Sequence, residues 1–146
     1  PSGTLNLATC LRDGIGVAPD QKRALELYER LAEDRFYPGL KLAGYCRHVG
    51  IGCEPDRQEA LRWYFELAKS AGKDVFSDDL VNCLRNMDGG SIIEKEAINW
   101  IREAAELGLA GQNMLAKLAD GKTEDPAKHD AGVGWLSGSQ PLRRMN

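Results

Sequence analysis

Gly14-Ile15-Gly16-Val17-Ala18-Pro19-Asp20 returns 36 residues later as Gly50-Ile51-Gly52-Cys53-Glu54-Pro55-Asp56, and this recurrence decides the fold. The agreement extends downstream. Ala24-Leu25, Tyr28 and Leu31-Ala32 return as Ala60-Leu61, Tyr64 and Leu67-Ala68. Between Cys10–Ala32 and Cys46–Ala68, 11 of 23 positions are identical. A shift of 37 brings in a third copy through Cys83, Gly89, Glu96, Ala97, Trp100, Glu103 and Ala105, 7 identities in 23. A period of this length marks a stack of repeats, each burying its apolar face against its neighbours. The functional question becomes which face binds.

Each repeat reads as two helices. The first helix of repeat one covers about Leu5 to Asp13 and stops at Gly14, a residue able to take the left-handed conformation that ends helices. Pro1-Ser2-Gly3 reads as extraneous to the fold. After the loop, Asp20 stands at an N-cap position. The second helix runs to about Asp34, with Ala24, Leu27, Tyr28, Leu31 and Ala32 on one apolar face. In repeat two the helices cover about Pro38 to Val49 and Asp56 to Ala71, with Asp56 and Glu59 set as a capping box. In repeat three they cover about Ser77 to Met87 and Ile92 to Leu107. There Ser91 with Glu94 replaces the lost Pro-Asp. A fourth copy starts near Ala110 with Met114, Leu118 and Gly121, then degrades between Thr123 and Gly138.

Composition bounds the function. The chain has 146 residues, 42% hydrophobic and 28% charged, with a formal net charge of -3. That balance disfavours a general nucleic-acid role, which needs a strong basic field. No apolar run approaches the ~20 residues of a membrane span. Cys10, Cys46 and Cys83 share one repeat position, so their helices should lie about 10 Å apart, beyond the ~7 Å reach of a disulfide. Cys53 stands where repeat one has Val17. All four read as small packed side chains, and free thiols fit a reducing, cytoplasmic compartment. A trimmed leader peptide would leave no trace.

Catalytic motifs are missing. His48 and His129 are the only histidines and lack metal-ligand spacing. The G-I-G turns follow helices rather than strands, which argues for turn geometry over phosphate binding. No cofactor or metal site is expected. An enzyme or enzyme subunit acting on the cell envelope would need convergent acid/base groups in a pocket.

With its G-I-G-V-A-P-D and A-L-E-L-Y stretches, G-I-G-C-E-P-D and A-L-R-W-Y, then A-I-N-W and A-A-E-L-G, the chain resembles the Sel-one-like repeat (SLR) family, a relative of the tetratricopeptide repeat. The resemblance covers about Leu5 to Gly121. It implies an all-α, right-handed α-solenoid (an alpha-alpha superhelix). The repeats are placed at about 5–37, 38–73, 74–109 and, degenerate, 110–138, in a single domain over 1–146 with a flexible tail at 139–146. It also implies a non-enzymatic adaptor that binds another protein, similar to signalling scaffolds, envelope and virulence factors, and toxin-neutralising (immunity) partners in bacteria. A structural fragment of a longer array, prone to self-association, is the other reading. In the family's Leu-Gly pair only Gly44 keeps the glycine; Leu7-Ala8 and Ala43-Gly44 otherwise depart from it.

By analogy with related solenoids, the first helices line a concave groove. One position then holds Arg12, His48 and Arg85, a second Thr9, Tyr45 and Asn82, and a third Leu5, Lys41 and Asp78. The cationic row would grip carboxylates of an acidic peptide, arginine doing so bidentately, and Tyr45 would add a rigid aromatic contact. The same cations also favour the helix dipole by ~0.3–1 kcal/mol without any ligand. Trp135, outside regular packing, either closes the stack or offers a secondary contact.

Overall fold

The computed structural model describes residues 1–85 and 87–122. Its regular elements are α1 (Ser2–Asp13), α2 (Gln21–Glu33), α3 (Tyr37–Val49), α4 (Arg57–Ala71), α5 (Asp78–Leu84), α6 (Ile92–Leu107) and α7 (Leu109–Lys122). All are helical, as the repeat pattern predicts. The chain forms two compact units, Pro1–Leu67 and Ala68–Asn146.

In the first unit the repeated text folds into the same loop twice. Gly14 (φ 73) ends α1 and Gly50 (φ 88) ends α3, both left-handed. A side chain would be strained there, which is why glycine holds both places. Their amides donate to Cys10 O at 2.7 Å and Cys46 O at 2.9 Å. Ile15 and Ile51 donate to the same two carbonyls at 2.9 Å. The loops close through Asp20 N–H to Leu11 O at 2.8 Å and Asp56 N–H to Arg47 O at 2.6 Å. The Asp20 carboxylate then accepts from Arg23 N–H, and that of Asp56 from Glu59 N–H, each at 3.1 Å. These are the orphan amides of a helix start. Only half of the expected second capping box forms, because the Glu59 carboxylate pairs with Arg62 instead. Helix α1 begins at Ser2, so the first residues are part of the fold after all.

The apolar face of α2 buries Ala24, Leu25, Leu27, Tyr28, Leu31 and Ala32. It packs between α1 and α3, joined by Ala8, Leu40, Ala43, Cys46, Trp63 and Leu67. Each large side chain withdrawn from water contributes roughly 1.5–3 kcal/mol. Three close approaches fix the helices. A Cβ at Gly39 would lie 2.5 Å from Leu31 Cβ, at Gly44 2.6 Å from the Tyr64 ring, and at Gly52 2.4 Å from the Gln21 carbonyl oxygen. Helix α2 is thus met near its end by Gly39 and at its start by Gly52.

In the second unit α7 packs on α6 and α5. Leu80, Val81, Leu84, Ile98, Ile101, Met114 and Leu118 are buried there. A Cβ at Gly111 would lie 2.1 Å from the Ala104 carbonyl carbon, so α7 starts in close contact with the α6 backbone. Ser91 caps α6 as expected, accepting from Glu94 N–H at 3.1 Å. The Glu94 carboxylate reaches back to the amides of Gly89 at 2.6 Å and Gly90 at 3.0 Å. A buried carboxylate therefore rebuilds the loop that Pro-Asp closes in the first two repeats. Helix α5 stops at Leu84, short of the expected Met87, because Arg85 turns to extended backbone (φ -61, ψ 139). The second half of the fourth repeat, the tail and Trp135 lie outside the described residues.

Candidate functional site

Helix α3 exposes one stripe. Tyr37 (57% exposed), Tyr45 (47%) and Val49 (48%) share it with Lys41, itself exposed. The spacing of four residues puts them on one helix face. Buried on the other side are Gly39, Leu40, Ala43, Gly44 and Cys46. Isolated exposed apolar residues need no explanation; a row with two aromatics is the composition that protein interfaces favour.

The other expected site residues of this unit are held in place from below. Thr9 Oγ1 and Tyr28 Oη are 2.9 Å apart and hydrogen-bonded. That bond tethers the site position to the core and keeps the buried phenol satisfied. Burial nonetheless raises the Tyr28 phenol above its ordinary value, with the Thr9 bond opposing. Arg12 forks onto Asp13, with Nε and Nη2 each 2.9 Å from a carboxylate oxygen. The pairing holds the guanidinium charged well above its usual range, and it holds the Asp13 carboxyl below its own. Arg12 thus already has one carboxylate. His48 meets the Tyr64 ring edge-on, 6.3 Å between centroids. Tyr64 in turn is the ring that lies on Gly44, so the imidazole stands on a packed base.

In the second unit Asn82 is exposed and donates to Asp78 Oδ2 at 3.3 Å. Asp78 also pairs with Lys117, whose ammonium lies 5.7 Å from the centre of the Phe76 ring. Arg85 sits at the C-cap of α5, where cations complement the helix dipole. Each unit therefore holds its own part of the expected rows.

The sequence reading misses a polar cluster under α3. Arg47 donates from Nε to Glu29 Oε2 at 2.7 Å and from Nη2 to Glu29 Oε1 at 3.0 Å. The Trp63 indole N–H donates to Glu29 Oε2 at 3.2 Å. One carboxylate on α2 thus gathers donors from α3 and α4. The pairing raises the Arg47 guanidinium above its ordinary range. A signal exists in the repeat itself. Phe65, Leu11 and Leu27 are the repeat counterparts of Glu29, Arg47 and Trp63. Glu29 and Arg47 are two departures from an apolar pattern in one repeat junction, and together they point to a shared pairing.

A pocket of about 160 Å³ lies beside this cluster, lined by Ala32, Glu33, Arg35, Arg62, Trp63 and Glu66. Its arginines are committed: Arg35 to Glu66, Arg62 to Glu59 and, 4.4 Å away, to the Trp63 ring. Cys46 is fully buried and its thiol is pushed up to about 11 by burial. None of the four cysteines is in a disulfide. Among the described residues no group of three His, Cys, Asp or Glu side chains could hold a metal ion, and no helix is long and apolar enough to cross a membrane.

No curated protein matches the chain. The fold is similar to the crystal structure of a Sel1 repeat protein from Oxalobacter formigenes, with a TM-score of 0.57 at 20% identity. That likeness covers 99% of this chain, which spans 60% of the solved protein's length. The pattern of the Sel1 repeat matches residues 1–35, 40–72 and 94–109, more than half of the sequence. Such repeats in general mediate protein–protein interaction. The α-solenoid class and the repeat match together make this chain a member of the Sel1 repeat family.

Proposed function

We propose that the chain is a non-enzymatic scaffold that binds an acidic segment of another protein on the face of its first helices. Thr9, Arg12, Lys41, Tyr45 and His48 carry that face in the first unit; in the second unit, taken by itself, the proposed contacts are Asn82 and Arg85. The observation that carries the reading is the exposed stripe of Tyr37, Lys41, Tyr45 and Val49 on α3. Two tyrosines offer large, rigid contact area at small entropic cost. Lys41 supplies positive charge in the middle of the stripe, and the Arg12 fork is shared with Asp13. A bacterial regulator or a toxin-neutralising protein would both use such a surface.

Affinity capture from native extract tests this, run beside Arg12→Glu/Lys41→Glu. The expected result is one stoichiometric partner held by the parent chain and lost by the variant, with helicity unchanged. A partner kept equally by both would move the site off this face.

A further inference from the structure

Helix α2 ends on a strained residue. The Arg35 amide donates to Ala32 O and the Phe36 amide to Leu31 O, each at 3.0 Å. This paired closure puts Arg35 in the left-handed position that glycine usually fills at such helix ends. Arg35 has φ 62 and is the one non-glycine residue with positive φ among the described residues. The next second helix, α4, is left through Gly72 (φ 105). A side chain costs stability on such a backbone. The ion pair that Arg35 makes with Glu66 does not offset that cost, because the Arg35 side chain keeps 62% exposure and exposed pairs contribute little. Stability alone would place a glycine here, so the arginine points to a use for its side chain.

Arg35 lines the pocket of about 160 Å³ at the end of α2. Arg62 lines it too and stands 4.4 Å from the centre of the Trp63 ring. Trp63 is 4% exposed and donates its indole N–H to Glu29, so the ring is a fixed wall. Arg35 reaches Glu66 and Arg62 reaches Glu59, each through Nη1. A guanidinium carries five N–H donors, so both arginines keep donors beyond those pairings. Two such forks at one pocket suit the two oxygens of a carboxylate. Glu33 and Glu66 balance the two arginines in the lining, so selection rests on the forks and not on a long-range field. A cationic ligand would meet Arg35, the residue for which the strain is accepted. We propose that this pocket binds a carboxylate of a partner polypeptide, on an acidic side chain or at a C-terminus, held by Arg35 and Arg62 against Trp63. It is built by α4 and the end of α2 and includes none of the α3 stripe, so it stands or falls independently of the proposed function.

The test titrates the chain with N-acetylglycine, with the α-amide of N-acetylglutamate and with neutral N-acetylglycinamide, following the Trp63 indole N–H by NMR. Saturable shifts with the carboxylates and none with the neutral amide are expected. Tighter binding of N-acetylglycine would mark a C-terminus as the source, and tighter binding of the glutamate compound an acidic side chain. Arg35→Gly should raise the thermal midpoint, because the strain is relieved, and weaken carboxylate binding at least tenfold. Arg35→Lys keeps the charge without the fork and should also weaken it. No saturable shift with either carboxylate, or equal shifts with the neutral amide, would overturn the proposal. So would unchanged binding by Arg35→Gly, or a lower midpoint for that variant, since Arg35 would then serve the fold alone.

Discussion

Replacing Glu29 by Ala removes the acceptor shared by Arg47 and Trp63, and its effect can be worked from the geometry. The Arg47 fork makes two charge-assisted bonds of 2.7 and 3.0 Å. A hydrogen bond to a charged group contributes ~1.5–3 kcal/mol when sheltered. The two side chains keep 25% and 20% exposure, so water partly resolvates the freed guanidinium. That discount leaves about 1–1.5 kcal/mol. The Trp63 residue is only 4% exposed, and stranding its indole N–H costs about 1 kcal/mol. Alanine returns a few tenths of a kcal/mol of helix propensity. The net expectation is a loss of about 2 kcal/mol, or roughly 1 M in urea midpoint for a slope near 2 kcal/mol/M. Glu29→Gln keeps an acceptor without the charge and should lose about half as much. In a double-mutant cycle Glu29→Ala and Arg47→Leu should couple by about 1 kcal/mol, since the leucine found at the Leu11 counterpart needs no carboxylate. Urea unfolding followed by far-UV circular dichroism reads all five proteins. A loss under 0.5 kcal/mol with no coupling would refute the claim that this carboxylate ties α2, α3 and α4 together.

Three further outcomes are expected. Gly44→Val should destabilise by ~1–3 kcal/mol through overpacking against the Tyr64 ring, measured by thermal melting; a neutral effect would mean that the ring moves aside freely. Glu94→Ala should destabilise by about 1–3 kcal/mol because the Gly89 and Gly90 amides lose their shared acceptor, and exchange at those two amides should quicken. Stability should also fall as the pH rises above about 9. Folding raises the Cys46 thiol to about 11 and raises the Tyr28 phenol, so the unfolded chain ionises first and is favoured. Well below pH 9 the thiol is protonated in both states and contributes nothing. Urea midpoints at pH 8 and 10 check this, and Cys46→Ala should flatten the slope.

The parts of the fold that could be read from sequence are those that repeat. Gly14 and Asp20 recur as Gly50 and Asp56, and each makes the same turn bond in both places. The second helices were legible because Ala24, Leu27, Tyr28, Leu31 and Ala32 fall on one face. What escaped is what occurs once. Tyr37 reads as the end of a repeat, yet it opens the α3 stripe. Val49 reads as the end of a helix, yet its side chain stands in line with Tyr45. Glu29 and Arg47 look like two unrelated departures until the fold joins them. The early end of α5 rests on the backbone of Arg85, which no periodicity encodes. Comparing repeats finds shared packing readily and hides single-copy residues, and a binding face is built from the latter.

The most direct test of the scaffold reading is calorimetric titration of the captured partner into the parent chain and into Tyr45→Ala. Tyr45 is half-exposed on α3 and packs little of the core, so thermal stability should be unchanged. An interface centred on this stripe predicts at least tenfold weaker binding, the ~1.4 kcal/mol or more expected of an aromatic anchor. Equal affinity for both proteins would contradict it and place the partner on another surface.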